Sequence, residues 1–195
     1  VHIFDPSLSK AQRDEAKALE GSMRGRIRVH NFGIAAEDGR VAGIGPRDEG
    51  VIKQRGRPSN ADTWGDVKTL ETILRELGHT HVDVVKMDID KYEWVVLPQI
   101  LATFGTCLPI GQLLIELHYQ DQPAAVFDLF DGLEKAGMRI FSKEPNLYEC
   151  YSPHGCKPIV KLVEYAFINA LKGDSCQNKA PQIKNDEWSA ESAQG

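Results

Sequence analysis

The chain has 195 residues, of which 42% are hydrophobic and 26% are charged, a balance typical of one globular domain with a full core. Its formal net charge of −5 argues against a nucleic-acid-binding protein, because nucleic-acid phosphates attract basic surfaces. No apolar run approaches the length of a membrane span, and no signal-peptide pattern occurs. Since the chain starts in a strand-like run without an initiator Met, we expect it to be a piece of a longer protein, and its compartment stays open.

The first elements are predicted from local signals. Residues 1–4 read as a short strand, and the Asp-Pro-Ser sequence at 5–7 ends it. Ser9 and Gln12 have the spacing of a capping box, which predicts that a helix starts here and continues to residue 19. Because this segment has little apolar face, we expect the helix to lie on the surface.

A second strand is predicted at 26–34, followed by a turn and a hairpin partner at 41–44. Residues 45–66 carry no regular pattern, and a loop of this length is often functional. Its basic side chains could meet an anionic substrate, although solvated loop charge is the favoured interpretation. Trp64 near its end could cover a ligand or anchor the loop.

Beyond this loop, helical and strand patterns alternate. Helices are predicted at 69–78, 91–104 and 123–137, and strands at 82–87, 112–118, 138–141 and 160–168. Alternation of this kind predicts an α/β fold with a mostly parallel sheet. The last two strands have no helix between them, so we expect the last strand to be antiparallel. Residues 1–170 would form the domain, and the polar segment 171–195 a disordered tail.

The cysteines allow two interpretations. The chain has four, Cys107, Cys150, Cys156 and Cys176, and no C-x-x-C pair, so no structural zinc site is expected. Cys150 and Cys156 could form a disulfide in an oxidising compartment. Free, partly buried thiols are the alternative, and the sequence does not choose between the two.

Acidic residues follow the β-branched strand at 82–87. Asp88, Asp90 and Glu93 come directly after it, at the kind of strand end where α/β proteins bind their ligands. Glu116 and His118 end the next strand along the chain, so we expect the two groups to meet. The alternatives are solvated charge at a strand end and, for His118, a histidine with an ordinary structural partner.

These side chains suit proton transfer. A free imidazole titrates near neutrality, and carboxylates can accept a proton or hold a hydroxyl group. Three acids and a histidine could also hold a divalent metal ion, but their spacing matches no recognised metal motif, so the sequence predicts none.

Several segments then resemble one family in order and spacing. They are K-T-L-E at 68–71, V-D-V-V-K-M-D-I-D at 82–90, Glu93-Trp94, Leu97, and L-I-E-L-H at 114–118. Together they resemble the FkbM-type S-adenosylmethionine-dependent methyltransferases, whose run is approximately T-L-D … D-L-L-K-I-D-I-E-G-A-E … L. E-P-N at 144–146, Cys150 and V-E-Y-A-F-I-N at 163–169 are similar to animal methyltransferase-like relatives of that group. The resemblance covers residues 1–169.

The resemblance implies a Rossmann-like class I methyltransferase sheet and S-adenosylmethionine as cofactor. By its position after the first strand, Asp5 would accept hydrogen bonds from the ribose hydroxyls, and Gly33 and Ile34 would contact the adenine. Asp88, Asp90, Glu116 and His118 would bind the acceptor and act on its proton.

The sequence departs from the family pattern in two places. Asp90-Lys91 replaces the family's Glu-Gly, and the loss of a glycine could shift the local backbone. The family's first strand, which lies mid-sheet, and its glycine-rich loop for the methionine end have no counterpart. We therefore expect the chain to begin just after them.

Three functions follow as hypotheses. The first is methyl transfer to an oxygen of a small molecule or glycan. The second is a degenerate methyltransferase fold that serves as a binding or scaffold module, which both departures favour. The third is a metal-dependent hydrolase using Asp88, Asp90 and His118, which would require tight metal binding.

Overall fold

A computed structural model describes residues 1–42, 64–118, 122–145 and 162–171. The helices of these segments are α1 (Lys10–Ser22), α2 (Leu70–Leu77), α3 (Glu93–Phe104) and α4 (Pro123–Lys135). The strands are β1 (His2–Phe4), β2 (Arg28–His30), β3 (Gly33–Ile34), β4 (Gly39–Ala42), β5 (Trp64–Lys68), β6 (Val82–Met87), β7 (Ile110–His118), β8 (Met138–Pro145) and β9 (Leu162–Asn169). The chain is therefore α/β, as predicted.

The described strands form three hydrogen-bonded groups, with orders β1-β2, β3-β5-β4 and β6-β7-β9-β8. β1 pairs parallel with β2, and β6 pairs parallel with β7. β9 runs antiparallel to both β7 and β8, which confirms the predicted direction of the last strand. Parallel and antiparallel pairings occur equally often among the described strands, so the sheet is more mixed than predicted.

The predicted hairpin after the second strand is wrong. Residues 26–34 contain two short strands, β2 and β3, which belong to different groups. β4 pairs antiparallel with β5 rather than with β2. The strand β5 was not predicted, because its residues end a segment that has no alternating pattern and its partners lie far away in sequence. Most of the predicted loop at 45–66 lies outside the described residues, and so does the polar tail beyond Leu171.

Local signals placed the starts of α1 and α2 and the end of α2 correctly, whereas α1 continues three residues beyond its predicted end at residue 19. Ser9 and Gln12 form the predicted capping box, and α1 has no buried residue, as expected of a surface helix. Thr69 caps α2, and Gly78 ends it with φ 68°, a left-handed conformation that glycine adopts without strain. α3 continues through Pro98, so no helix restart occurs there.

The core lies between β7 and the helices α3 and α4. Its fully buried side chains include Val96, Leu97 and Ile100 of α3, and Leu113 and Ile115 of β7. This packing holds the carboxyl ends of β6 and β7 in place.

Two predictions of burial are wrong. The helical spacing of Val126, Phe127, Phe130 and Leu133 predicts that Phe127 packs inward. Phe127 is instead 75% exposed on α4, where Leu129 is buried. Val84 is 50% exposed, although the β-branched run of β6 predicts a buried strand. Met87 packs into the core from the opposite face of β6, and on the face of Val84 the neighbouring Val82 is partly buried.

Cys107 is disulfide-bonded. Cys150, Cys156 and Cys176 lie outside the described residues, and a bridge between Cys150 and Cys156 stays a prediction. Within the described segments, no helix is both long and apolar enough to cross a membrane.

Candidate functional site

A cavity of about 730 Å³ opens where the ends of β1, β3 and β6 meet. Its volume falls in the range of roughly 300–1,000 Å³ that small-molecule sites occupy. The lining residues come from the predicted cofactor and acceptor regions together: Ile3, Phe4, Asp5, Pro6, Ser7, Gln12, Gly33, Ile34, Ala35, Val41, Val67, Asp88, Ile89, Asp90 and Tyr92. The fold thus brings Asp5, Gly33 and Ile34 to the same cavity as Asp88 and Asp90.

Asp5 has a defined local role. Its Oδ1 accepts hydrogen bonds from the Ser7 N–H at 2.8 Å and from the Ser7 hydroxyl at 2.6 Å. Its own N–H donates to the carbonyl of His30 at 3.0 Å, which extends the β1–β2 pairing. The turn interpretation of Asp5 is therefore correct, and its carboxylate is held at the cavity wall by the turn that it forms.

Gly33 is favoured by close packing. A Cβ placed on it would lie 3.1 Å from Cγ and 3.3 Å from Cδ of Pro6. The absent side chain lets the turn after β1 approach β3, and Ile34 beside it packs against the core. The glycine therefore shapes the cavity whatever ligand the cavity takes.

The segment after β6 has unusual backbone angles. Asp90 has φ 52° and Lys91 has φ 82°, both in the left-handed region that side chains other than glycine rarely adopt. These are the residues that replace Glu-Gly in the resembled family. The backbone here takes the conformation that glycine would favour, without the glycine. Tyr92, which follows, lines the cavity and was not predicted from the sequence.

Glu116 and His118 of β7 lie beside Asp88. One side-chain ligand atom from each of the three residues lies within 4.8 Å of the others. His118 Nε2 is also 3.6 Å from Asp90 Oδ1. The predicted catalytic residues are thus brought together, although Glu116 and His118 do not line the cavity itself.

The pKa of Asp88 is raised. Partial burial is the main cause, and the charge of Glu116 and a hydrogen bond between the two carboxyl groups add to it. Two neighbouring carboxylates repel each other when both are charged, so Glu116 adds to the effect of burial on Asp88.

Glu93 is not among the catalytic residues predicted from the sequence, although it lies beside His118. Its side chain is 0% exposed, and its Oε1 accepts a hydrogen bond from the Ile89 N–H at 2.8 Å. The same oxygen lies 3.3 Å from Nδ1 of His118, but the two atoms are not in hydrogen-bond geometry. Nδ1 of His118 and the second oxygen of Glu93, Oε2, are therefore both buried without a hydrogen-bond partner among the described residues. Its place in the first turn of α3, four residues after Ile89, was the available signal.

A model of the family described as "Methyltransferase domain" matches residues 1–155. The chain belongs to this methyltransferase domain family. Among curated proteins it is similar to "Probable methyltransferase-like protein 24" of Rattus norvegicus, with 29% identity over 118 residues, and to the protein of the same name in Homo sapiens, with 30% identity over 118 residues.

In both comparisons the aligned part is 60% of this chain, and the chain spans only 26% of the relative's length. No solved structure matches. The methyltransferase prediction is therefore confirmed at the level of the domain family. The similarity to animal methyltransferase-like proteins is also confirmed, and the FkbM-type assignment stays a prediction.

Proposed function

We propose that the full protein transfers a methyl group from S-adenosylmethionine to an oxygen of a small molecule or glycan. The observation that carries the proposal is the single cavity lined by Asp5, Gly33 and Ile34 on one side and Asp88 on the other. The two parallel pairs, β1–β2 and β6–β7, are compatible with the Rossmann-like class I sheet that the resemblance implies.

The residues present fit the adenosine part of the cofactor. The carboxylate of Asp5 stands at the end of β1, where it can accept hydrogen bonds from ribose hydroxyls. Gly33 leaves the wall beside Pro6 without a side chain, and Ile34 offers an apolar surface for a flat ring. When bound, S-adenosylmethionine would supply a methyl group that is activated by attachment to a positively charged sulfur.

The residues beyond the cavity fit the acceptor. Asp88 and Asp90 can hold an acceptor hydroxyl at the end of β6. His118 and the Asp88–Glu116 pair can take its proton as the methyl group is transferred, a contribution typically worth about 10²–10⁴-fold in rate. The remaining task is orientation, because an in-line displacement requires the two partners to be aligned.

Calorimetric titration of the full-length protein with S-adenosylmethionine tests the proposal. We expect binding, and we expect Asp5→Ala to weaken it by about 1–3 kcal/mol, the cost of leaving a polar contact unpaired. Ser7→Ala is the matched control, since it removes the hydroxyl bond to Asp5 but keeps the carboxylate. If Asp5→Ala and Ser7→Ala bind S-adenosylmethionine equally well, Asp5 does not bind the ribose. If the full-length protein does not bind S-adenosylmethionine, the proposed methyltransferase function is wrong.

One observation favours the second candidate function, a methyltransferase fold that only binds or scaffolds. Asp90 and Lys91 stand where the resembled family has Glu-Gly, so a shorter acid and an added side chain change the acceptor side. In that case the full-length protein would bind no S-adenosylmethionine and would transfer no methyl group.

A further inference from the structure

We infer that Asp88, Glu116 and His118 form a binding site for a divalent transition-metal ion. The register of β6 and β7 brings these side chains together. β6 and β7 are parallel neighbours, and Met87 pairs with Ile115, which puts Asp88 next to Glu116 at the shared end of the two strands. His118 lies two residues beyond Glu116 and therefore on the same side of β7.

The distances suit one ion. The ligand atoms of the three side chains all lie within 4.8 Å of one another. Two ligands of one ion lie at most about 4.4 Å apart, twice a metal–ligand distance of about 2.0–2.2 Å. Movements of a few tenths of an ångström, chiefly of the exposed Asp88 and the half-buried His118 around the buried Glu116, would complete the site.

Glu93 provides an independent observation. Metal-binding histidines usually place the ring nitrogen that does not bind the metal against a carboxylate, which fixes the orientation of the ring. The fully buried Glu93 carboxylate lies 3.3 Å from Nδ1 of His118, close to but outside hydrogen-bond geometry, and Nε2 lies 3.6 Å from Asp90 Oδ1 on the side where an ion would bind.

The second oxygen of Glu93 supports the same conclusion. Its Oε2 is buried without a hydrogen-bond partner, and among the described residues the basic side chain beside this carboxylate is His118. A buried polar atom without a partner is costly. An ion bound through His118 would supply positive charge to Glu93 through the imidazole.

The donor set indicates the class of ion. Carboxylates suit Mg²⁺, Ca²⁺ and Mn²⁺, whereas an imidazole favours transition metals. Two carboxylates and one imidazole therefore suit Mn²⁺ or Zn²⁺ better than Ca²⁺. Three protein ligands leave coordination positions open for a water or a substrate oxygen, as in catalytic rather than structural sites. Because Asp88 also lines the cavity, the ion would lie at its edge.

Titration of the metal-free full-length protein with MnCl₂, followed by the paramagnetic resonance signal of free Mn²⁺, tests the site. We expect one Mn²⁺ per chain, displaced by ZnCl₂ and not by equimolar CaCl₂. Asp88→Asn and Glu116→Gln should each weaken Mn²⁺ binding at least tenfold, and Glu93→Gln by about 10–100-fold through the orientation of His118. Asp83→Asn, an exposed acid on the same strand, is the matched control and should bind like the wild type.

The site is wrong if the folded protein binds no Mn²⁺, or if Asp88→Asn binds as tightly as Asp83→Asn. Asp88 is exposed, so this variant should fold even if Glu116→Gln does not, and circular dichroism checks the fold of each. The inference does not rest on methyl transfer. Mn²⁺ binding without S-adenosylmethionine binding would overturn only the proposed function, and the reverse result would overturn only the metal site.

Discussion

Nε1 of Trp94 donates a hydrogen bond to the carbonyl oxygen of His118 at 2.9 Å. The bond joins the first turn of α3 to the last residue of β7. Since Trp94 also packs against the core, the position of His118 depends on the same packing that stabilises the fold. The candidate site is therefore supported by a residue that has no chemical role in it.

Trp94→Phe should test this support. Phe keeps an aromatic ring but loses the N–H and part of the indole that packs against the core, so we expect unfolding free energy to fall by at least about 1 kcal/mol. Methyl transfer should fall as well, because His118 is less well held. Urea denaturation and an activity assay measure the two effects. Tyr92→Phe is the control, and the same unfolding midpoint in both variants would mean that the Trp94 bond contributes nothing.

Asp88→Asn should separate chemistry from stability. Asp88 is exposed at the end of β6 and fills no space in the core, so the melting temperature should stay nearly unchanged. Methyl transfer should fall by about 10²–10⁴-fold, the usual loss for one acid–base group. Initial rates and thermal melts of Asp88→Asn and Asp83→Asn give the comparison. Unchanged turnover in Asp88→Asn would remove Asp88 from the catalytic residues.

Asp38 should make stability depend on pH. Partial burial raises its pKa, but hydrogen bonds from the Thr69 N–H at 2.6 Å and the Thr72 hydroxyl at 2.7 Å outweigh burial, so the pKa is lowered. Because the pKa of Asp38 is lower in the folded state than in the unfolded state, its carboxylate stabilises the protein at pH values above the unfolded-state pKa. This stabilisation is lost as the pH falls through the folded-state pKa.

Asp38→Asn should therefore reduce unfolding free energy by about 0.5–1.5 kcal/mol at neutral pH. The difference from the wild type should shrink below about pH 4, where the unfolded carboxyl group binds its proton. Denaturation curves at several pH values measure it, with the exposed neighbour Glu37→Gln as control. A difference that stays constant down to pH 2 would contradict this account.

Lys91→Gly should stabilise the protein. Lys91 has φ 82°, and a left-handed conformation costs a residue with a side chain about 1–2 kcal/mol. Part of this gain in unfolding free energy is lost, because glycine gives the unfolded chain more conformational freedom. The net gain should be about 0.5–1 kcal/mol. Lys86→Gly is the control, since Lys86 lies in β6 and glycine weakens strands. If both substitutions destabilise equally, the backbone at Lys91 carries no strain.

The sequence alone determined the features that depend on neighbours along the chain. The capping box of Ser9 and Gln12, the cap at Thr69 and the left-handed end at Gly78 each need only residues within one helical turn. The acids after β6 and those ending β7 could be expected to meet, because parallel neighbouring strands end at the same edge of a sheet.

Only the tertiary structure decided the features that depend on distant partners. β4 pairs with β5 across a segment with no periodic pattern, and Phe127 is exposed because Leu129 takes the core side of α4. Glu93 is buried against His118, and its place in the first turn of α3 indicates a local hydrogen bond but not this burial. Burial and pairing are set by what packs against a residue in space, and a short stretch of sequence does not contain that information.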